Sequence, residues 1–203
     1  DYFELIWGAH SANASITPEE MSNVKRVSNL DGINSYTPDI AYSDSLGLYA
    51  VIWFNSSGEI EYSVLDQNGV EIVDDVRLTY DADYGMYPYA KWVGNEFSVF
   101  WTDSTSAFNR IAMDGSTLGP HIRSATINYE DVTWTGSEYG VVYRDTDSET
   151  ALARMARDGT EILTGTKLAS SDCILMWDPK IVWTGSEFLS VWREQNAFHS
   201  QYQ

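Results

Sequence analysis

Eight residues of this 203-residue chain have types and spacings that could do chemistry together. Four are aromatic: Tyr36, Tyr87, Tyr129 and Trp177 each stand five or six residues ahead of a second aromatic, at Tyr42, Trp92, Trp134 and Trp183. Four are polar: Asn55, Asp103, Asp145 and Glu194 each follow an aromatic by two positions, at Trp53, Trp101, Tyr143 and Trp192. A flat ring beside carboxylates and an amide suits a sugar. The ring covers the apolar C–H face while the oxygens accept hydroxyl hydrogen bonds. The same acids offer oxygen ligands to calcium. No D-x-D-x-D-G loop is present, however, and Asp145-Thr-Asp147-Ser-Glu149 reads better as a solvated turn. The competing structural reading makes the aromatics plugs between packed sheets and the acids turn caps.

The elements that must position these residues are written out several times. Trp134-Thr-Gly-Ser-Glu-Tyr-Gly-Val-Val-Tyr-Arg-Asp145 returns almost unchanged at 183–194 and again at 92–103. Residues 42–55 are a looser copy, and residues 3–7 match only its second half. Each copy reads as two strands around a tight turn, with Gly136-Ser137, Gly185-Ser186 or Gly94-Asn95 at the tip. Alternation of Tyr139, Val141 and Tyr143 against Gly140 and Val142 is the period of a strand. Each copy is followed by a second hairpin signal, at Asn68-Gly69, Asp114-Gly115 and Asp158-Gly159. Returning fourth strands are expected at 76–79, 122–124 and 167–169.

The closing aromatics Trp7, Trp53, Trp101, Tyr143 and Trp192 are separated by 46, 48, 42 and 49 residues. They read as core. That period, filled with strands, implies a β-propeller of four-stranded antiparallel blades. A first repeat without its first strand and a last repeat without its fourth give roughly 18 strands, more than four blades hold and fewer than five. The reading is one all-β domain over 1–203 with five blades, the first and last incomplete. Its repeats lie at about 1–37, 38–87, 88–129, 130–178 and 179–203. A short third strand at 13–17, a helical turn at 18–23 and a last strand at 197–203 complete the expectation. Unpaired edges in the end blades need a cover, from a neighbouring chain or from the rest of a longer array.

The unit W-x-G-x-E-[YF]-x-V-x-[WY]-x-[DE] resembles the blade repeats of bacterial exported β-propeller proteins of undescribed function. More loosely it is similar to tachylectin-type lectin propellers. The resemblance covers most of the chain and implies architecture. No lectin sugar-binding motif matches residue by residue.

Composition narrows the partners. Thirty acidic against 12 basic residues give a formal net charge of −18, which repels phosphate backbones and anionic membranes. Neutral polar ligands and cations are compatible. One cysteine, Cys173, excludes an intrachain disulfide. No apolar run is long enough for a transmembrane helix and no signal peptide is legible; a start at Asp1 rather than Met reads as a processed or excised chain. His10, His121 and His199 are scattered, without an HExxH or a cysteine pair for zinc. No G-x-S-x-G or phosphate loop occurs, and no single carboxylate pair stands out for glycoside hydrolysis.

The expectation is therefore an extracytoplasmic, non-catalytic module without a cofactor. It binds a glycan through repeated aromatic and acidic loops on the rim shared by the 2–3 and 4–1 turns of the blades. The alternatives are a self-assembling or protein-binding scaffold joined through its end blades, and a glycosidase-like enzyme.

Overall fold

The computed structural model describes residues 4–6, 24–28, 33–80, 85–102, 106–124, 127–145, 149–168 and 173–196. Among them there is no helix, and every element is a strand. The strands form antiparallel sheets in sequence order, the blades of a β-propeller fold. Three sheets are four-stranded: β3–β6 (Ser35–Ser43, Leu48–Asn55, Ile60–Leu65, Glu71–Arg77), β7–β10 (Met86–Trp92, Glu96–Thr102, Ser106–Ala112, Ile122–Ser124) and β11–β14 (Asn128–Trp134, Glu138–Arg144, Thr150–Ala156, Glu161–Lys167). The first sheet, β1 (Glu4–Ile6) with β2 (Val24–Arg26), and the last, β15 (Cys173–Trp183) with β16 (Phe188–Asn196), are two-stranded. The chain divides into two compact units, residues 1–99 with 110–118 and residues 100–109 with 119–203.

Two details differ from the sequence expectation. β1 pairs directly with β2, Glu4 opposite Arg26, so it holds a third-strand place and not the second-strand place suggested by the match at 3–7. The fourth strands β6 and β14 begin at Glu71 and Glu161, directly after their turns and well before the apolar residues that marked them. Every residue of β14 is exposed, so no alternation was there to read. The strand expected at 13–17, the helical turn at 18–23 and the strand at 197–203 lie outside the described residues.

Both hairpin types follow from their turn residues. At Thr135–Glu138 only Gly136 of the two central residues has positive φ, 104°, the pattern of a turn that takes glycine first. The Thr135 hydroxyl receives the amide of Glu138 and donates to its carbonyl; Thr184 and Glu187 do the same. The Asn68-Gly69 turn is a longer loop, closed by Asp66 N–H to Val70 O and Gly69 N–H to Asp66 O, with Gly69 left-handed. Asp66 Oδ1 accepts from the amides of Asn68 and Val70, and Asp114 and Asp158 accept likewise from Ser116 and Thr160.

Blades stack through a repeated joint. In the first unit Asp39 on β3 accepts the Ala90 amide of β7 at 2.8 Å; in the second, Asp131 on β11 accepts the Ile181 amide of β15 at 3.0 Å. These carboxylates stand three residues before Tyr42 and Trp134, the same register in each blade. Strand two sends alternate residues to its two neighbours. Tyr139 packs back on Phe100 and Phe108, with centroids 5.1 and 5.8 Å away, while Gly140 faces forward. A Cβ at Gly140 would lie 2.3 Å from the Phe188 ring, so glycine is what lets β16 approach. Trp53, Trp101 and Tyr143 are buried as expected of core, and Trp192 is half-buried.

Candidate functional site

The polar half of the expected rim holds turns together. Asn55, at the end of β4, is buried. Its Oδ1 accepts the amides of Ser57 and Glu59 at 2.9 and 3.1 Å, and its Nδ2 donates to Glu61 Oε1 at 2.7 Å and Glu59 Oε2 at 3.3 Å. Glu61 Oε2 accepts the Trp53 indole N–H at 2.8 Å, and Glu59 pairs with Arg77 at 2.7 Å. Asp145 repeats this at the end of β12. Its Oδ1 accepts the Glu149 amide at 2.9 Å, and Lys167, one rung away on β14, pairs with both carboxylates. Asn55 and Asp145 thus close the 2–3 turn, and the base on strand four, Arg77 or Lys167, neutralises the glutamate that follows. Glu194 lies on β16 opposite Met176. Its side chain and the whole of Asp103 lie outside the described residues.

The third blade omits one part of this arrangement. Ala107 stands where Glu61 stands in the second, eight residues before the turn glycine in each case. Trp101, the counterpart of Trp53, is fully buried, its Nε1 has no hydrogen-bond partner among the described residues, and its ring meets His121 edge-on at 5.8 Å.

The aromatic half divides by register. Counting back from Tyr42, Trp92, Trp134 and Trp183, Tyr36 and Trp177 stand at the sixth residue but Tyr87 and Tyr129 at the fifth. That difference of one reverses the face. In β3, Tyr36 pairs with Phe54 and Asp39 with Ile52, so Thr37-Pro38 bulge out opposite Trp53 alone. β15 bulges in the same way at Asp178-Pro179, between the pairs Trp177–Arg193 and Lys180–Val191. The residue before each proline is left-handed: Thr37 at φ 42°, Tyr87 at 52° and Asp178 at 53°. Tyr87 shares the backbone conformation of Thr37 and Asp178, and the residue is 55 % exposed. Glu130 replaces proline in the fourth blade; the register shifts there too, between Tyr129, which pairs with Tyr143, and Asp131, but Tyr129 is not left-handed. Its ring turns into the core against Phe100 at 5.5 Å, its amide is held by Ser106 Oγ, and burial, with Glu161 adding, pushes its phenol pKa up. Tyr36 is half-buried against Phe54, 5.2 Å between centroids. Trp177 belongs to β15, but its side chain lies outside the described residues.

In the first unit the rim is tied across blades. The Ser56 amide donates to Asn34 O and the Gly85 amide to Gly58 O, both at 2.8 Å, which fixes the 2–3 turn between two strand starts. Around it are Tyr36, Phe54, Tyr87 and Tyr80, the last 74 % exposed in the 4–1 connection. Sequence reasoning passed over Glu59, Glu61 and Tyr80. Tyr80 carried a signal, an aromatic directly before the acids of 81–84, but it has no counterpart in the other copies. Among the described residues no group of three His, Cys, Asp or Glu side chains could hold a metal ion.

No family model and no curated protein matches this chain. Solved structures do, at the level of fold. One is a triple arginine-to-alanine mutant of AofleA from Arthrobotrys oligospora, 10 % identical, TM-score 0.53, spanning 81 % of this chain and 54 % of that one. Another is the xyloglucan PUL protein GH43B of Bacteroides ovatus, 12 % identical, TM-score 0.52, spanning 89 % and 43 %. A third is BBS1N in complex with ARL6DN, 8 % identical, TM-score 0.51, spanning 77 % and 46 %. The neighbours are β-propeller-like proteins, and the chain is a β-propeller by the same measure. It spans about half the length of these structures.

Proposed function

We propose that this chain is a non-catalytic binding module that takes carbohydrate on the rim of its first unit, around Tyr87. The observation that carries the reading is the backbone of that residue. A tyrosine held left-handed, directly before Pro88, with more than half its surface in water, is costly to keep by about 1 kcal/mol or more. Thr37 and Asp178 hold the same left-handed backbone without a ring, and Tyr129, at the same register but not left-handed, turns its ring into the core. A stiff exposed ring is what stacking on a sugar face needs. Tyr80 and the Tyr36–Phe54 pair add apolar surface, and the Ser56–Gly58 turn adds polar groups. The carboxylates nearby favour holding over cleaving. Among the described residues, the oxygens of Glu59 and Glu61 are committed to Arg77, Asn55 and Trp53. The xyloglucan named for one structural neighbour belongs to that protein, and it makes plant-type β-glucans a sensible first probe.

A glycan array tests this. The wild type is expected to bind at least one class of neutral oligosaccharide, and Tyr87→Ala to weaken it about tenfold or more without lowering the melting temperature. Absence of sugar binding by the wild type, or binding indifferent to Tyr87→Ala, refutes the reading.

A further inference from the structure

Of the ten asparagines in this chain only Asn68 is followed by glycine. It stands exposed in the 3–4 turn of the second blade, between β5 and β6. The turn requires that glycine, because Gly69 is left-handed at φ 74°, where a side chain is strained. The same missing side chain leaves the Gly69 amide nitrogen without a bulky neighbour to shield it. The two other copies of this turn read Asp114-Gly115 and Asp158-Gly159. There the acid at the place of Asn68 caps the turn, accepting the amide of Ser116 at 2.9 Å or of Thr160 at 3.0 Å. In the second blade the cap has moved two residues back. Asp66 Oδ1 accepts the amides of Asn68 and Val70, both at 2.8 Å, and its Oδ2 receives Asn68 Nδ2 at 3.4 Å. The Asp66 carbonyl holds the Gly69 N–H at 2.9 Å, the place taken by Ala112 and Ala156 in the other copies. The blade that puts an asparagine before its turn glycine is thus the one that puts a carboxylate against it.

We propose that Asn68 is a modification site, the residue at which this chain forms a succinimide, and that Asp66 guards it. In the reaction the Gly69 nitrogen attacks Asn68 Cγ, the Cγ–Nδ2 bond breaks, and ammonia leaves with the proton that the Gly69 amide gives up. Water then opens the cyclic imide at either carbonyl, giving aspartate or isoaspartate. Ionised carboxylates at Asp114 and Asp158 have no comparable leaving group. The folded turn opposes each part of the reaction. The Gly69 proton is held by Asp66 O, the Asn68 amide is tethered to Asp66 Oδ2, and a carboxylate beside the reacting carbon disfavours the negative charge that develops there. Reaction therefore proceeds from the opened turn, at a rate set by how often the turn opens. The two products differ in consequence. Aspartate at position 68 is what the neighbouring copies already carry. Isoaspartate adds a methylene to the main chain before Gly69, whose carbonyl receives Lys25 Nζ of β2 at 2.5 Å, so it loosens the hold of the first sheet on the second.

Timed incubation at mildly alkaline pH, read by peptide mass mapping and by isoaspartyl methyltransferase labelling, tests this. Asp66→Ala removes the three carboxylate bonds and leaves the main-chain one. It is expected to convert Asn68 about fivefold faster than the wild type or more, the change in open population that one ordinary hydrogen bond controls. Asn68 is expected to convert ahead of every other asparagine in that variant. In urea strong enough to unfold both chains, the two are expected to convert Asn68 at the same rate. Asp66→Asn, which keeps an acceptor oxygen, replaces Asp66→Ala if circular dichroism shows that variant unfolded. Equal rates in the folded chains overturn the guarding role, and another asparagine converting first in Asp66→Ala overturns the site. A rate difference that survives in urea overturns the turn as its cause.

Discussion

Removing the Glu61 carboxylate is the sharpest test of how the second blade is held. Glu61 accepts the Trp53 indole N–H at 2.8 Å and the Asn55 amide at 2.7 Å, and both donors are buried. In Glu61→Ala the indole N–H loses this acceptor in a site water does not reach. Stranding a buried donor costs about 1–3 kcal/mol, and a hydrogen bond to a charged acceptor contributes about 1.5–3 kcal/mol. Asn55 keeps its weaker 3.3 Å bond to Glu59, so its share is the smaller one. The expected loss is about 3 kcal/mol for Glu61→Ala and about half that for Glu61→Gln, which keeps one acceptor oxygen. The third blade supplies the control. Trp101 is equally buried, but Ala107 replaces the glutamate and its N–H has no partner among the described residues, so Trp101→Phe deletes a group that lacks the Glu61 type of bond. It is expected to cost about 1 kcal/mol less than Trp53→Phe, which abandons the Glu61 carboxylate. Urea unfolding followed by tryptophan fluorescence and circular dichroism measures each midpoint, with slopes compared so that only stability is read. Glu61→Ala costing less than about 0.5 kcal/mol, or Trp101→Phe costing more than Trp53→Phe, would refute the reasoning.

Other consequences are simpler to state. Gly140→Ala puts a methyl 2.3 Å from the Phe188 ring and is expected to lose about 1–3 kcal/mol by overpacking, whereas Gly136→Ala meets nothing within 4 Å and loses about 1 kcal/mol through its φ of 104° alone; thermal melts separate the two. Asp131→Ala strips the acceptor from the Ile181 amide, for about 1 kcal/mol, and hydrogen exchange at Ile181 is expected to quicken more than at Val132. Amides of Val70 and Asn68 hold the Asp66 pKa below its ordinary value, and the Ser116 hydroxyl and amide do so for Asp114. Folded values that are depressed give stability present above the unfolded pKa, near pH 4, and lost as pH falls through the folded value. The melting-temperature gap between wild type and Asp66→Asn is thus expected near neutrality and should close on acidification below about pH 4; a gap that widens instead would contradict it.

Much of the fold could be read because its signals are local. Gly136-Ser137 and Gly185-Ser186 need only a positive φ at one residue, and the alternation around Val141 needs only a strand with two covered faces. The fourth strands could not be bounded, because an edge strand such as β14 leaves all its side chains in water and is held by main-chain pairing. The site was half legible. Spacing found Asn55 and Asp145 correctly as a repeated pair but gave no hint that their oxygens were spent on the Ser57, Glu59 and Glu149 amides. It also grouped Tyr36, Tyr87, Tyr129 and Trp177 as equivalents. A spacing of five or six is one symbol in a pattern, but in a strand it is the choice between two faces. Whether Pro follows decided the rest, leaving Tyr87 in water and Tyr129 in the core.

This suggests where function should be sought in a chain of near-copies. Positions on which the blades agree are explained by what any blade requires: a glycine where φ is positive, a small residue where a neighbour's ring arrives. Agreement therefore carries little information about a ligand. Departures carry more, since a residue that breaks the pattern has lost its architectural reason. Tyr87 breaks it by holding an exposed ring on a left-handed backbone, where Thr37 and Asp178 carry no ring and Tyr129 turns its ring inward. Glu61 breaks it by answering the Trp53 N–H, where Ala107 and Ala151 stand in the next two blades. Grafting supplies the general check. Gly140→Leu should prevent folding, because Phe188 already fills the place, whereas Leu189→Gly, at the counterpart that is 58 % exposed, should cost far less stability in a thermal melt.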